Sequence, residues 1–299
     1  ARAAALAACP DCRPDKVGTR KSAKTHGPAS IPEESSQLRG LNEVNRRLVA
    51  MVQQIDSQKT ATLDLDASIH ASRKKQALRT YEGERGYQPL VVTWAEQSLI
   101  VFDQFRDGNV PAALGNKEVM QEVLVNLPGG VTEIYFRSDS AAYDHGLMRM
   151  LDEQPKRVRF AISARVSEQL KAAMQALPEK AWKPLQTRDH KGRLVETDKQ
   201  WAEVPYVPGE ERERKGMKPF RYVGIRIRRH QIELFDNVSI TEEEDSVDKA
   251  QDARHMYFAI VTNFTTKERK GDHLIRWQRE RCGTVEHGHD VLKNDLAAA

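Results

Sequence analysis

The sequence predicts a mixed α/β protein in which a mixed sheet is flanked by helices, and three observations lead to this prediction. Three strand-like segments, 60–69, 90–96 and 98–107, follow one another without a helical pattern, which is typical of antiparallel strands. Helical and strand-like patterns then alternate from residue 117 to residue 177, as they do where helices pack on a sheet. From about Ala181 strand-like pieces dominate, which indicates a β-rich insertion ahead of a last helix.

The first element is an amphipathic helix over residues 35–56. Its apolar residues recur at three- and four-residue spacing, which predicts one helical face that docks on a core. These residues are Leu38, Leu41, Val44, Leu48 and Val52.

In the strand 60–69 that follows, two acids share one face. Leu63 and Leu65 point one way along an extended chain, so Asp64 and Asp66 both point the other way. Adjacent carboxylates on one face repel each other, and a strand that only packs in a core would avoid them. The pair therefore suggests a function.

The remaining elements follow in a regular order. Helices are predicted at 117–128, 143–154 and 168–177, and strands at 129–141 and 157–167. In the β-rich part, strand-like pieces cover 201–209, 219–236 and 254–264, and the charged stretch 241–252 between them predicts a solvated loop. A final helix is predicted from about Gly271 to Leu296.

These elements predict four regions along the chain. Residues 1–34 are predicted to be a disordered or truncated tail, because they are rich in Ala, Lys, Arg, Gly and Pro with little apolar periodicity. Residues 35–180 form the first part of a core, 181–255 the β-rich insertion, and 256–299 the end of the core with the last helix.

Composition limits the class of protein. The chain has 299 residues and a net charge of +4, which mildly favours an anionic partner such as nucleic acid. Three cysteines do not make a disulfide framework, and the CxxC of Cys9 and Cys12 lacks the second ligand pair of a zinc site. No apolar run is long enough to cross a bilayer. A cytoplasmic protein with no membrane contact is expected.

Three carboxylates are candidates for chemistry. Asp66, or its neighbour Asp64, lies on the first strand, and Asp139 comes at the carboxyl end of a later strand, where α/β sheets bind ligands. Glu286 lies on the final helix, on one face with Arg279 and Lys293 at seven-residue spacing. Each acid also has a purely structural interpretation. Asp66 could be a surface acid, Asp139 could cap the helix that follows it, and Glu286 could form an ion pair on a solvated helix.

The three acids are more informative together than singly. A cluster of carboxylates repels itself unless divalent cations occupy it. Two Mg²⁺ ions about 3.5–4 Å apart would serve phosphoryl transfer by activating a water or hydroxyl and stabilising the leaving oxygen.

The motifs at 61–69, 81–90, 105–112, 136–147 and 285–296 together resemble those of bacterial insertion-sequence DDE transposases with an RNase H-like catalytic core. The resemblance runs from about Leu38 to the end of the chain. It implies that Asp66, with Ser68 two residues on, Asp139 and Glu286 are the catalytic and metal-binding acids. Lys293, seven residues after Glu286, matches a position that meets phosphate in such enzymes.

The resemblance also implies cofactors and partners. The expected cofactor is a pair of Mg²⁺ ions, with Mn²⁺ as a possible substitute. One expected partner is double-stranded DNA, both the terminal inverted repeats of an element and the target DNA. The other is a second subunit of the same protein, paired with the first when the DNA ends are bound. A location in the bacterial cytoplasm, associated with the nucleoid, would follow.

Basic residues near these motifs are predicted to contact the DNA backbone. In the strand around 221–229, Val223, Ile225 and Ile227 are expected to face inward, with Arg226 and Arg228 facing outward; a solvated strand face is the alternative. The other predicted DNA-binding residues are Arg73, Lys74, Lys75, Arg279, Arg281 and Lys293. His287 and His289 project to different faces of the final helix and do not suggest a zinc site.

The leading functional hypothesis is a DDE transposase that performs metal-dependent DNA strand cleavage and strand transfer. The alternative is a truncated, catalytically silent DNA-binding remnant of such an enzyme, from which metal-dependent strand cleavage would distinguish it. A glycosidase with paired carboxylates is a weaker third hypothesis, because it does not account for the basic strand and helix.

Overall fold

The computed structural model describes residue 29 and residues 31–188, 191–212, 218–228 and 255–290. The predictions for Cys9, Cys12, most of the tail, the loop 241–252 and Lys293 lie outside these residues. The chain divides into two compact units. The first contains the described residues up to Val158 and those from Glu280 onward, and the second is Arg159–Arg279.

The first unit opens with helix α1, Ser36–Ile55. Ser35 caps it by accepting a hydrogen bond of 3.3 Å from the backbone N–H of Leu38. The helix docks through Leu38, Val49 and the buried amide of Gln53, which donates 2.7 Å to the carbonyl of Gln58. The prediction of the helix is confirmed, but the predicted docking face is wrong in three of its five residues. Those three are exposed: Leu41, Val44 and Leu48.

The rest of the first unit contains a mixed sheet and a small separate sheet. Its other elements are β1 (Thr60–Ala67), β2 (His70–Ala71), β3 (Leu78–Arg79), β4 (Arg85–Tyr87), β5 (Leu90–Trp94), β6 (Leu99–Gln104), α2 (Asn116–Asn126), β7 (Glu133–Ser138) and α3 (His145–Asp152). Four strands follow in the order β6-β5-β1-β7, and β2, β4 and β3 form the small sheet. Strand β1 is antiparallel to β5 and parallel to β7.

The core of this unit lies on both faces of β1 and β5. Residues 61–65 of β1 and all five residues of β5 are buried, as expected of strands that are covered on both sides. Trp94 is fully buried and donates 3.0 Å from its indole nitrogen to the carbonyl of Thr60, which ties the two strands at one end. The rigid centre of the sheet therefore fixes the position of the opposite end of β1.

The second unit is mainly antiparallel sheet. Its elements are β8 (Arg159–Ala164), α4 (Glu168–Gln175), β9 (Lys183–Arg188), β10 (Leu194–Val204), α5 (Gly209–Arg212), β11 (Arg221–Arg228) and β12 (His255–Thr262). The strands follow in the order β8-β12-β11-β10-β9, and each registered pair is antiparallel. Helix α6, Gly271–Asp290, begins in this unit and ends in the first.

The predicted fold class, a mixed sheet with helices, is confirmed. The strands expected at 60–69, 90–96, 98–107, 129–141 and 157–167 are all present, and so is the β-rich part. Strand β9 and the small sheet were not predicted from the sequence. The four predicted regions stay a prediction. Among the described residues, no helix is long and apolar enough to cross a membrane.

Candidate active site at the carboxyl ends of two parallel strands

Asp66 and Asp139 lie at the carboxyl ends of two neighbouring parallel strands of the first unit. The register pairs Leu65 of β1 with Ser138 of β7, and each aspartate follows its member of that pair by one residue. Ser138 reinforces this end by donating 3.1 Å from its hydroxyl to the carbonyl of Leu65. Both aspartates are partly exposed. Since adjacent strands lie about 4.8 Å apart, the two aspartates follow neighbouring positions at one edge of the sheet.

The chain turns immediately after Asp139, and the aspartate stabilises that turn. Its Oδ1 accepts a hydrogen bond of 2.9 Å from the N–H of Ala141 and so caps the short 3-10 helix Ser140–Ala142. Asp144 then caps α3 by accepting 2.7 Å from the N–H of Leu147. One carboxylate oxygen of Asp139 therefore caps the turn, as the structural interpretation expected. This hydrogen bond orients the carboxyl group at the strand end.

Asp64 has a different environment from Asp66. Its carboxylate is fully buried and accepts two hydrogen bonds of 2.7 Å from Nε and Nη2 of Arg137. Burial raises the pKa of Asp64, while the hydrogen bonds and charge of Arg137 oppose that rise. Asp64 is a structural partner of Arg137 in the described fold, whereas Asp66 faces partly into solvent.

Helix α6 reaches this site at residues 280 and 281. Nη1 of Arg281 lies 3.5 Å from Oδ1 of Asp66, and Oε2 of Glu280 lies 3.5 Å from Nη1 of Arg137. Arg281 was expected only to contact DNA, so its contact with Asp66 is new. Its cation offsets part of the repulsion between the two aspartates.

Glu286 belongs to the same helix, five residues after Arg281. At 1.5 Å per residue this is about 7.5 Å further along the axis. Its side chain is outside the described residues, so its role as third acid stays a prediction. Among the described residues no group of three His, Cys, Asp or Glu side chains is arranged to hold a metal ion.

Tyr81 is a candidate site residue that sequence reasoning missed. It lies in the turn between β3 and β4, and 79% of its surface is exposed. Its pKa is raised, first by desolvation and then by the negative charges of Glu82, Asp139 and Asp66. An exposed aromatic ring therefore stands close enough to both aspartates to sense their charge.

The predicted DNA-binding residues differ in exposure. Arg73, Lys74 and Lys75 are exposed after β2, and Arg228 and Arg279 are exposed in the second unit. These positions are open to a polyanion in the described structure, and their role in DNA binding stays a prediction.

Arg226 does not face outward as predicted. It is 6% exposed, and its guanidinium donates 2.7 Å to Oε1 of Gln200 and 2.8 Å to Oε1 of Glu179. It also lies over the ring of Trp182, with 4.6 Å from Cζ to the ring centroid. The predicted outward face is wrong at this residue because both faces of β11 are covered over residues 222–226, and Trp182 lies against the guanidinium.

A family comparison bears on this arrangement. The family model described as Transposase DDE domain group 1 matches residues 16–234, which is well over half of the chain. The chain belongs to this family. The matched part of this DDE transposase domain includes Asp66 and Asp139 and ends before Glu286.

The DDE transposase domain was also compared with individual proteins. It is similar to a cryo-EM structure of the piggyBac transposase synaptic complex with hairpin DNA, with a TM-score of 0.43 and 10% sequence identity. The match covers 87% of this chain and 48% of that chain, so the domain spans about half of the length of that transposase. No curated protein matches the chain.

Proposed function

We propose that this chain is a DNA transposase that cleaves a DNA strand at an element end and transfers the freed 3′ end to target DNA. The observation that carries the proposal is the placement of Asp66 and Asp139, two partly exposed carboxylates that follow a registered residue pair of adjacent parallel strands. Membership of the DDE transposase family supports the same activity.

The carboxylates of Asp66 and Asp139 are suitable ligands for a divalent cation. Carboxylate oxygens are hard ligands of the kind that Mg²⁺ and Mn²⁺ prefer. Asp66 and Asp139 would hold the metal, with Glu286 from α6 as the third acid and two ions as the expected number. The bound metal would supply Lewis-acid stabilisation of charge at the phosphate and a nucleophile of lowered pKa.

The chain's own residues would perform three tasks at the site. Arg137 anchors Asp64 and thereby fixes the backbone of β1 just before Asp66. The N–H of Ala141 orients the carboxyl group of Asp139. Arg281, 3.5 Å from Asp66, would exchange its carboxylate partner for a DNA phosphate when the metal occupies the site.

The proposed partner is double-stranded DNA, bound at the terminal repeats of the element and at the target. Arg73, Lys74 and Arg281 would neutralise phosphates near the aspartates, and Arg228 and Arg279 are also proposed to contact backbone phosphates. Lys293 keeps its predicted phosphate contact. On DNA ends the enzyme is expected to act as a homodimer.

Strand cleavage tests the proposal directly. The substrate is a labelled duplex that carries the DNA flanking the coding sequence, incubated with the protein and Mg²⁺ or Mn²⁺. The native chain should release a 3′-hydroxyl end and join it to a second duplex, whereas Asp66→Asn and Asp139→Asn should each lower the rate at least a hundredfold.

Asp56→Asn is the matched control, because Asp56 is an exposed aspartate four residues before the start of β1. It should retain the native rate. The Asp139→Asn side chain keeps an oxygen that can accept the hydrogen bond from the N–H of Ala141. Loss of activity in this variant would therefore not reflect loss of the turn. Cleavage that is independent of added metal, or that survives both active-site changes, would overturn the proposed active site. Binding of the duplex by the native chain without any cleavage would overturn the proposal in favour of DNA binding alone.

A further inference from the structure

The first residue of helix α2 reaches the turn that follows Asp139. Asn116 is 3% exposed, and its side-chain nitrogen Nδ2 donates a hydrogen bond of 3.2 Å to the carbonyl oxygen of Ala141. The N–H of the same Ala141 donates 2.9 Å to Oδ1 of Asp139. Both backbone polar groups of Ala141 are therefore engaged, one by the candidate metal ligand and the other by Asn116.

The way in which α2 begins determines where Asn116 lies. Gly115 precedes the helix with a φ of +74°, a left-handed conformation that favours glycine, and its carbonyl accepts 3.1 Å from the N–H of Val119. The buried residues of α2 recur at three- and four-residue spacing and so share one face of the helix. They are Asn116, Val119, Met120 and Val123. Asn116 is thus fixed on the face by which α2 packs.

An amide at this buried position requires a hydrogen-bond partner, because burial of an unpaired polar group costs free energy. The other three buried residues of α2 are apolar. The carbonyl of Ala141 can only accept, so the group of Asn116 that faces it must be the donor Nδ2. An ionised aspartate of the same shape has no donor and could not make this contact.

We propose that Asn116 is a positioning residue for Asp139, which it orients through the backbone of Ala141. This inference rests on the proposed function, in which Asp139 holds the metal. Other bonds of the turn are local, such as the 3.3 Å bond from the N–H of Tyr143 to the carbonyl of Ser140. Asn116 comes from 25 residues earlier, on a helix with a buried apolar face, and so fixes the turn relative to the core.

Two variants remove the donor of Asn116 in different ways. Asn116→Asp keeps the shape of the side chain, and a carboxylate in the first turn of a helix is favourable, so α2 should still form. Asn116→Ala removes the donor without adding a charge. Both variants should weaken Mn²⁺ binding in calorimetric titration by about tenfold, the usual effect of losing a group that orients a metal ligand. Both should also lower kcat for strand cleavage, while KM for the DNA duplex should stay at its native value.

Asn45 provides the matched control. Its Nδ2 also donates to a backbone carbonyl, that of Ile100, at 3.1 Å and across 55 residues. Ile100 lies on β6, two strands from β1 and three from β7. Asn45→Asp and Asn45→Ala should therefore lose the same kind of hydrogen bond and keep the native Mn²⁺ affinity and kcat. If the variants of Asn116 and Asn45 lost stability alike in urea denaturation and all kept native Mn²⁺ affinity, Asn116 would be purely structural and the proposal would be overturned.

Hydrogen exchange of the Ala141 N–H, followed by NMR, tests the same proposal without metal or DNA. This amide should exchange at least tenfold faster in Asn116→Asp and Asn116→Ala than in the native chain, because the turn opens more often. It should exchange at the native rate in Asn45→Asp. A native rate in both Asn116 variants would overturn the proposal. If the native chain neither bound Mn²⁺ nor cleaved DNA, the proposed function would fail instead, and the exchange rate would still decide whether Asn116 holds the turn.

Discussion

Arg137 on β7 holds both carboxylate oxygens of Asp64 on β1, through two hydrogen bonds of 2.7 Å in the buried centre of the sheet. Two residues further along β1, Asp66 leaves this buried region and meets Arg281 at 3.5 Å. Two acids on one face of one strand thus have different roles. The inner acid fixes the two strands to each other, and the outer acid is available for chemistry.

This difference predicts opposite effects of two equivalent substitutions. Asp64→Asn should lower the free energy of unfolding by about 3 kcal/mol, because it removes the buried counter-charge of Arg137 and leaves only the exposed carboxylate of Glu280 at 3.5 Å. Asp66→Asn should change stability by less than about 1 kcal/mol, since its ion pair is partly exposed. Chemical denaturation of both variants measures the two effects. Equal stability of the two would contradict the structural assignment of Asp64.

The exposed arginine of β11 and its buried neighbour should also behave differently. Arg228→Ala should reduce the slope of log affinity for DNA against log salt concentration by about 0.9, the value for one phosphate contact. Arg226→Ala should leave that slope unchanged and should lower the melting temperature, because Glu179 and Gln200 lose their partner. Filter binding at four salt concentrations and thermal unfolding separate the two results. A flattened slope for Arg226→Ala would restore its predicted contact with DNA.

Tyr81 provides a test of how DNA lies at the site. The ring of Tyr81 is exposed, and its pKa is raised by desolvation and in part by the charges of both aspartates, so it is suited to stack on a base of the cleaved strand. Tyr81→Ala should weaken binding of an element-end duplex with a frayed terminus by about 1–3 kcal/mol, the usual range for one stacked base. Tyr81→Phe keeps the ring and should bind as the native chain does. If Tyr81→Phe were as weak as Tyr81→Ala, the hydroxyl rather than the ring would make the contact.

Several parts of the fold could be predicted because they depend on local pattern. Helix α1 and strands β1, β5 and β6 have clear apolar periodicity, and the carboxyl ends of parallel strands lie side by side, which brought Asp66 and Asp139 together. The choice of Asp66 over Asp64 as the candidate ligand came only from a family resemblance, and it stays a prediction.

Other features depend on partners that are distant in sequence. Arg137 is 73 residues from Asp64, and Glu179 is 47 residues from Arg226, so no spacing rule connects either pair. Alternation along β11 predicted an outward Arg226, yet Glu179 and Trp182 cover the face on which it lies. Likewise, periodicity alone did not show which sector of α1 docks, because that helix carries apolar residues in two sectors.

The second unit should lose stability in acid through Glu268. Its carboxylate accepts 2.8 Å from the N–H and 2.9 Å from the hydroxyl of Thr265, and 2.9 Å from Nε of Arg159. Burial raises its pKa, but the hydrogen bonds from Thr265 and Arg159 outweigh that effect and lower the pKa to about 2, from 4.5. A carboxyl whose pKa is lower in the folded state stabilises the fold above pH 4.5 and loses that contribution as the pH falls towards 2.

Glu268→Gln should therefore destabilise the protein by about 1–2 kcal/mol at pH 7, a range reduced for solvent screening, and by little at pH 2. Urea denaturation of the native chain and the variant between pH 7 and pH 2 measures the difference. If the difference in the free energy of unfolding between the native chain and Glu268→Gln stayed constant with pH, the charge of Glu268 would make no net contribution to stability.

The central claim is that Asp66 and Asp139 form one metal-binding centre of a DNA-cleaving enzyme, and calorimetric titration with Mn²⁺ tests it most directly. Native protein should bind the ion, Asp66→Asn and Asp139→Asn should each weaken binding at least tenfold, and Asp56→Asn should bind as the native chain does. Glu286→Gln should also weaken binding if it is the third acid. Equal Mn²⁺ affinity in the native chain, Asp66→Asn and Asp139→Asn would contradict the account.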